Sequence, residues 1–186
     1  LGRYADQETY DLYDDRMVSQ DPARFLSGAQ FMTEKAGGSD VGGIELTAVN
    51  EGGEWRLYGE KWFCSHTDGD IALLLARPEG APAGSRGLAL FALPRVCPDG
   101  TRNRYRIARL KDKMGTKSMA SGEIIFKGAL VHLLGEADKG LKQMMDQVNL
   151  SRLSHGVRAA AMMQRCWNES VAVARNRSAF GRNLIC

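Results

Sequence analysis

Residues 32–40, Met-Thr-Glu-Lys-Ala-Gly-Gly-Ser-Asp, carry the densest chemistry in the chain. Gly37 and Gly38 permit positive φ and a close approach of main chain to a ligand. Thr33 and Ser39 add hydroxyls that can donate to a carbonyl or phosphate oxygen. Such a loop offers backbone N–H groups to an anion or a ring. A Gly-Gly turn closed by Ser39 and Asp40 ahead of a strand accounts for the same residues by turn chemistry, and on this stretch alone both readings stand. A second motif follows at 59–65, Gly-Glu-Lys-Trp-Phe-Cys-Ser, and the pair is more informative than either part. Other chemistry is absent by spacing. Cys64, Cys97, Cys166 and Cys186 form no C-x-x-C pair, so reduced, buried thiols of an intracellular protein are expected. His66, His132 and His155 lack metal-ligand spacing, and no metal is expected.

The elements that must position these motifs can be read from periodicity. The 186 residues allow one sizeable core and part of another. A hydrophobic content of 44% with 25% charged residues fits a soluble globular protein, and no run approaches the roughly 18 apolar residues of a membrane span. The chain opens on Leu1 without a signal-peptide core, so it reads as an excised fragment whose end at Cys186 is equally arbitrary. Residues 1–29 are polar with scattered Tyr4, Tyr10 and Tyr13, and read as a connecting arm. Between 30 and 136, β-rich runs at Ile44–Val49, Trp55–Phe63, Ile71–Ala76, Gly87–Leu93, Arg104–Leu110 and Glu123–Phe126 alternate with turn signals, which predicts an antiparallel barrel or sandwich. Glu51-Gly52-Gly53-Glu54 suits a hairpin turn, and residues 78–84 a loop. From 137 to 186 the spacing becomes helical: Leu141, Met144, Met145, Val148, Leu153, Val157, Ala160, Met163, Trp167, Val171 and Ala174. One proline-free helix over 140–177 would run about 55 Å and belong to a helical bundle. Gly156 marks a close contact in it, or the helix breaks near Ser151–Ser154. The fold class is therefore α+β, a β-barrel followed by a long helix.

The two motifs together resemble the flavin-contacting segments of acyl-CoA dehydrogenases. The likeness extends to Lys113-Met114-Gly115, to Ser151-Arg152 and to Arg177-Ser178-Ala179-Phe180-Gly181, five landmarks in family order. Met-Thr-Glu-Lys, Lys61-Trp62-Phe63 and Arg109-Leu110-Lys111-Asp112-Lys113 are most similar to the AidB-like branch, which is linked to the response to DNA alkylation. The resemblance implies a helical domain, a middle barrel and a C-terminal four-helix bundle, of which this chain holds the barrel, the arm before it and the first long helix after it. It implies FAD as cofactor, with Met32, Thr33, Gly38, Ser39, Phe63, Cys64, Ser65 and Arg177 as cofactor-binding positions. Thr33 would bond the flavin ring, Ser39 the phosphates, and Gly38 would permit their approach. Phe63 stands where the family often has a Trp packed on the ring, Ser65 where a Thr bonds near N5. Arg177 would reach a pyrophosphate across a subunit interface, which favours a homo-oligomer, dimer or tetramer. Ala179 replaces a common hydroxyl residue there. Each has a plainer reading: Phe63 shares strand parity with Trp55, Leu57 and Lys61 and is then a core aromatic; Ser65 ends the strand; Arg177 complements the helix dipole. Arg152 is a substrate-side arginine by resemblance, or pairs with Asp146 or Glu169.

The activity so implied is α,β-dehydrogenation of an acyl-CoA thioester, with removal of a Cα proton and transfer of a Cβ hydride to flavin. That chemistry needs a carboxylate base and donors on the thioester carbonyl. The family's base lies in the C-terminal bundle beyond Arg177, so no catalytic residue is expected in this chain, and Glu34 is expected to shape its loop. The alternative is an AidB-like flavoprotein of the DNA alkylation-damage response with weak DNA binding and little dehydrogenase activity. A third reading is a structural fragment. The net charge of +3 is too mild to imply nucleic acid, yet Arg102, Arg104, Arg106, Arg109, Lys111, Lys113 and Lys117 crowd one region opposed by Asp112. A strand would place Arg102, Arg104 and Arg106 on one face, either as a solvated hairpin or as a contact for DNA or the phosphates of CoA. The expected compartment is intracellular: cytoplasm, or mitochondrion or peroxisome in a eukaryote.

Overall fold

The computed structural model describes residues 1–185, which divide into two compact units, Leu1–Met144 and the residues from Met145 onward. The first unit is built on β1 (Gly28–Phe31), β2 (Thr47–Glu51), β3 (Glu54–Ser65), β4 (Ile71–Pro78), β5 (Ala89–Pro94), β6 (Tyr105–Leu110) and β7 (Ser121–Leu134). Five of these close a ring in the order β2, β3, β7, β5, β4. β1 lies between β3 and β4, and β6 continues the sheet beyond β7. The barrel is mixed rather than wholly antiparallel: β4 runs parallel to both β1 and β2. Local sequence encodes hairpins such as β2–β3, whose turn at Gly52 and Gly53 has φ of 65° and 99°. It does not encode pairings between strands brought together from a distance.

β4 and β5 are almost uniformly apolar because both of their faces are covered. Phe31, Leu46, Leu57, Leu74, Leu93 and Ile124 fill the interior with almost no exposed surface, each contributing about 1.5–3 kcal/mol of burial. β7 is far longer than the four-residue run at Glu123–Phe126. Gly128 takes a φ of 80° there, and β7 skips it in the register with β3, where Leu57 faces Ala129 and Tyr58 faces Lys127. Gly128 is a bulge that lets the strand continue.

The segment read as a connecting arm contains a helix, α1 (Gln7–Met17). Asp6 caps it by accepting from the Thr9 amide at 2.8 Å, and its buried side Thr9 and Tyr13 carry no apolar stripe to betray it. The Tyr13 hydroxyl and His132 Nε2 of β7 lie 3.1 Å apart. Burial pushes the Tyr13 phenol up to about 12.

Helix α2 (Gly140–Asn176) runs 37 residues without a break at Ser151–Ser154 or Gly156. Its first turn belongs to the barrel unit, where the Gly140 amide donates to Leu88 O at 3.0 Å and Met144 is buried. In the second unit the helix exposes an apolar stripe including Leu150, Leu153, Val157, Met163 and Trp167. It ends in a small hairpin, β8 (Ser178–Ala179) with β9 (Arg182–Asn183), turned by Phe180 and Gly181 at positive φ. Cys64, Cys97 and Cys166 are free thiols, but only Cys64 is buried and Cys166 is exposed, against the expectation of uniformly buried thiols. Cys186 lies outside the described residues. Among the described residues, no helix is long and apolar enough to cross a membrane, and no group of His, Cys, Asp and Glu is arranged to hold a metal ion.

Candidate functional site

The two sequence motifs meet at one end of the barrel. β1 delivers the chain into residues 32–40 at the point where β3 is finishing, since Gln30 is registered with Ser65. The loop is anchored from within by Glu34. Its carboxylate accepts from the Glu45 amide at 2.7 Å, the Leu46 amide at 3.3 Å and Lys61 Nζ at 2.7 Å. Lys61 also donates to Met32 O at 3.2 Å, and the Trp62 amide donates to Thr33 O at 2.8 Å. Glu34 thus shapes the loop. The Lys61 side chain has no exposed surface and that of Glu34 only 8%. Burial pulls the Lys61 ammonium below its ordinary range, and the neighbouring carboxylate offsets part of the pull.

Beyond Glu34 the chain turns back sharply, with the Gly37 amide donating to Glu34 O at 3.0 Å and Gly37 at φ 135°. Residues 35–40 are exposed. Gly38 packs on Thr33 so closely that a Cβ there would lie 3.0 Å from Thr33 Oγ1. Among the described residues the amides of Gly38 and Ser39 find no acceptor. Met32 is half-buried, its sulfur 2.8 Å from Gln30 Nε2.

A bulge in β3 decides what the second motif presents. Lys61 is registered with Ile124 and Cys64 with Gly122, so Trp62 and Phe63 share the single residue Glu123 on β7. The strand changes parity there. Cys64 joins Leu57 and Lys61 inside, while Phe63 faces outward at 44% exposure. Simple alternation had placed Phe63 in the core; one extra residue puts it on the surface. The Cys64 side chain is wholly enclosed, and burial pushes its thiol up to about 12, so it is an unreactive core group and only its main chain can serve a ligand. The Ser65 and Ser121 hydroxyls lie 3.2 Å apart, and Lys113 Nζ reaches Ser121 Oγ at 3.1 Å and Met119 O at 2.6 Å.

The basic tract is less bare than its composition. Glu123 lies on the strand facing β6 and accepts from Arg109 at 2.5 Å and Lys111 at 2.7 Å, so Asp112 is not the only opposing acid. Lys111 Nζ also sits 3.2 Å from the centroid of the Trp62 ring, with Arg109 and Lys35 at 5.4 and 5.3 Å. Of Arg102, Arg104 and Arg106 only Arg106 falls within β6, although all three are exposed. Asn103 between them is pinned inward, donating to Pro94 O and Leu130 O at 2.7 and 2.9 Å.

In the second unit, Arg152 donates to Asn149 on its own helix at 3.3 Å, while Glu169 pairs with Arg165 at 2.8 Å. Arg177 follows the last turn of α2, is exposed, and accepts from the Leu184 amide through its carbonyl at 3.0 Å. The structure thus gathers Met32, Thr33, Gly38, Ser39, Phe63, Cys64 and Ser65 within the barrel unit, and carries Arg152 and Arg177 in the other. The groups that sequence reasoning missed are Lys61 as a buried partner of Glu34, Ser121, and Glu123 with the cations on Trp62. Lys61 had one legible signal: a lysine at the same strand parity as Leu57, with an unpaired acid in the companion motif.

Residues 29–129 match the model of the acyl-CoA dehydrogenase middle domain and residues 138–186 that of the C-terminal domain. Acyl-CoA dehydrogenase family member 11 of Caenorhabditis elegans is 37% identical over 90% of this chain and 28% of its own length. The putative acyl-CoA dehydrogenase AidB of Escherichia coli is 38% identical over 94% of this chain and 31% of its own. The crystal structure of Caenorhabditis elegans ACDH-11 in complex with C11-CoA superposes with a TM-score of 0.87, at 34% identity, covering 98% of this chain and 32% of that one. The chain therefore spans less than a third of the length of each of these relatives.

Proposed function

The chain belongs to the acyl-CoA dehydrogenase family, and from that premise we propose that it forms the cofactor-holding barrel of an FAD-dependent oxidoreductase acting on acyl-CoA thioesters. The observation that carries the reading is the pre-shaped loop at 32–40, with the unused amides of Gly38 and Ser39, in a unit that also turns Phe63 outward. The residues fit a flavin. Thr33 and Ser65 supply hydroxyls for polar ring atoms, Phe63 an exposed aromatic face, and the Gly38 and Ser39 amides donors for phosphate oxygens. A Cβ at position 38 would intrude on Thr33, which explains a glycine at that point of the cradle. Met32 and the main chain of Cys64 complete the wall. Arg177 serves the pyrophosphate from a second copy, so the working form is a homo-oligomer, dimer or tetramer. Bound there, the flavin supplies a hydride acceptor.

This chain's own residues bind and orient. Arg152 is the substrate-side cation, and the general base is assigned to no residue of this chain. The substrate class is supported by the relative crystallised with C11-CoA. The test is stoichiometric flavin on the purified full-length protein that carries this chain, which alone should be inactive for want of the base, followed by anaerobic titration of that protein with acyl-CoA thioesters. Loss of the absorbance near 450 nm supports the dehydrogenase. A second reading, an AidB-like flavoprotein that binds DNA weakly, is favoured by the exposed Arg102, Arg104 and Arg106. It predicts flavin without bleaching at any acyl chain length, and salt-sensitive DNA affinity that falls when the three arginines become Ala.

A further inference from the structure

The cluster buried behind the loop is polar, costly and fully satisfied. Glu34 Oε1 takes Lys61 Nζ and the Leu46 amide, Oε2 takes the Glu45 amide, and Lys61 reaches on to Met32 O. Replacing a buried ion pair with apolar side chains of like volume is often neutral or stabilising, so stability alone does not account for this one. What the pair does geometrically is specific. It ties the main chain at Met32 and Glu34 to β3 and to the entry of β2, on either side of Thr33. Thr33 itself has one further main-chain anchor, its carbonyl to the Trp62 amide, and the following residues 35–40 are exposed.

We propose that Glu34 and Lys61 are positioning residues for the cofactor: their buried pair, bracketing Thr33, fixes the direction of the Thr33 hydroxyl and of the Gly38 main chain packed on it. The assignment rests on the flavin reading of the site and adds to it a group that touches no ligand. Neither side chain is a catalytic residue, since the barrel interior encloses both. The pair holds a loop that has little apolar anchorage of its own, and its effect on the ligand passes through Thr33.

The experiment compares purified wild-type protein with Lys61→Met, the charge-free Glu34→Gln/Lys61→Met double variant, Thr33→Ala, and the combination of all three. Folding is followed by circular dichroism, flavin affinity by equilibrium dialysis, and the environment of the ring by the visible spectrum of bound flavin. The double variant removes the charge left unpaired in Lys61→Met, so a collapse of the single variant leaves the double to decide the matter. The expected result is a folded double variant with roughly tenfold weaker flavin binding and an altered flavin band shape. Adding Thr33→Ala to it should cost less than Thr33→Ala alone, because coupled residues are non-additive. Amide exchange in the cofactor-free protein should rise at Glu45, Leu46 and Trp62 and stay unchanged at Leu74 and Leu75. Wild-type affinity and spectrum in the double variant, or fully multiplicative effects with Thr33→Ala, would overturn the assignment while leaving the flavin site intact. A wild-type protein that takes no flavin would overturn the site itself, and is seen before any variant is made.

Discussion

Replacing Gly140 by Ala should destabilise the protein even though alanine is the best helix former. Gly140 opens α2, and its amide donates to Leu88 O at 3.0 Å. A Cβ built on it would lie 2.4 Å from Ala89 C, 2.5 Å from Leu88 O and 2.6 Å from Ala89 Cα. All three obstacles are main chain, so no rotamer change relieves them. Restoring ordinary contact requires the first turn of α2 and β5 to part by about 1 Å, for which overpacking typically costs about 1–3 kcal/mol. The stretched hydrogen bond adds about 1 kcal/mol, while the gain in helix propensity returns about 1 kcal/mol. The balance is a loss of roughly 1–3 kcal/mol. Gly156, in the same helix with no atom within 4 Å of its missing Cβ, is the internal control, and Gly156→Ala should gain up to about 1 kcal/mol. Urea unfolding read by circular dichroism and by near-ultraviolet signals of the barrel separates the two. If Gly140→Ala proves as stable as Gly156→Ala, the close packing of α2 on β5 is refuted.

Three further outcomes follow from other contacts. Gly38→Ala should leave stability within about 0.5 kcal/mol, since the loop is exposed, yet weaken flavin binding several-fold by pushing Thr33 Oγ1 from 3.0 Å; dialysis against flavin checks it, and unchanged affinity removes Thr33 from the site. Asp70 is partly buried, which raises its pKa, but the Ser27 amide and hydroxyl at 2.9 and 2.8 Å and Arg95 more than reverse this and hold the carboxyl below the usual range. Its contribution is therefore complete above the unfolded value near pH ~3.9 and lost as pH falls through the lower folded value; Asp70→Asn should flatten that acid limb in unfolding titrations. His132 goes the same way for a different reason. Burial pulls it below 6.5, against the pull of Asp6, Glu8 and Glu54, so the unfolded chain takes the proton first and stability declines as pH drops below 6.5. Protection factors of α1 amides, corrected for intrinsic exchange, should fall at acid pH in the wild type and lose that dependence in His132→Gln; equal protection on both sides of 6.5 in the wild type contradicts this.

The parts of the fold legible in the sequence are those whose signal is local. The β2–β3 hairpin announced itself in Gly52-Gly53, and the long helix in its unbroken apolar spacing. β1 was invisible because Gly-Ala-Gln-Phe is too short and too poor in β-branched residues to stand out from a loop. α1 hid because only Thr9 and Tyr13 are buried, although Asp6 was a readable cap. Parallel pairing of β4 with β1 and β2 arises from closure of the ring, which no window of sequence contains. At the site, residue types were legible and facing was not. The hydroxyls and glycines of Thr33, Gly38 and Ser39 stood out by composition, but strand alternation alone pointed Phe63 inward, against the outward role the resemblance implied, because alternation is blind to an inserted residue. Glu123 was overlooked because its partners Arg109 and Lys111 are 14 and 12 positions away.

The bulge opposite Glu123 also separates two kinds of constraint that a regular strand would fuse. Before it, Leu57 and Lys61 answer to the barrel interior; after it, the count begins again, and Phe63 and Ser65 answer to whatever lies at the mouth. A change of ring size at 63 or of hydroxyl at 65 is then absorbed without a compensating change at Leu57 or Lys61. The rim of this barrel can be rewritten for a new ligand while its interior stays as it is, and that freedom rests on one surplus residue in a twelve-residue strand.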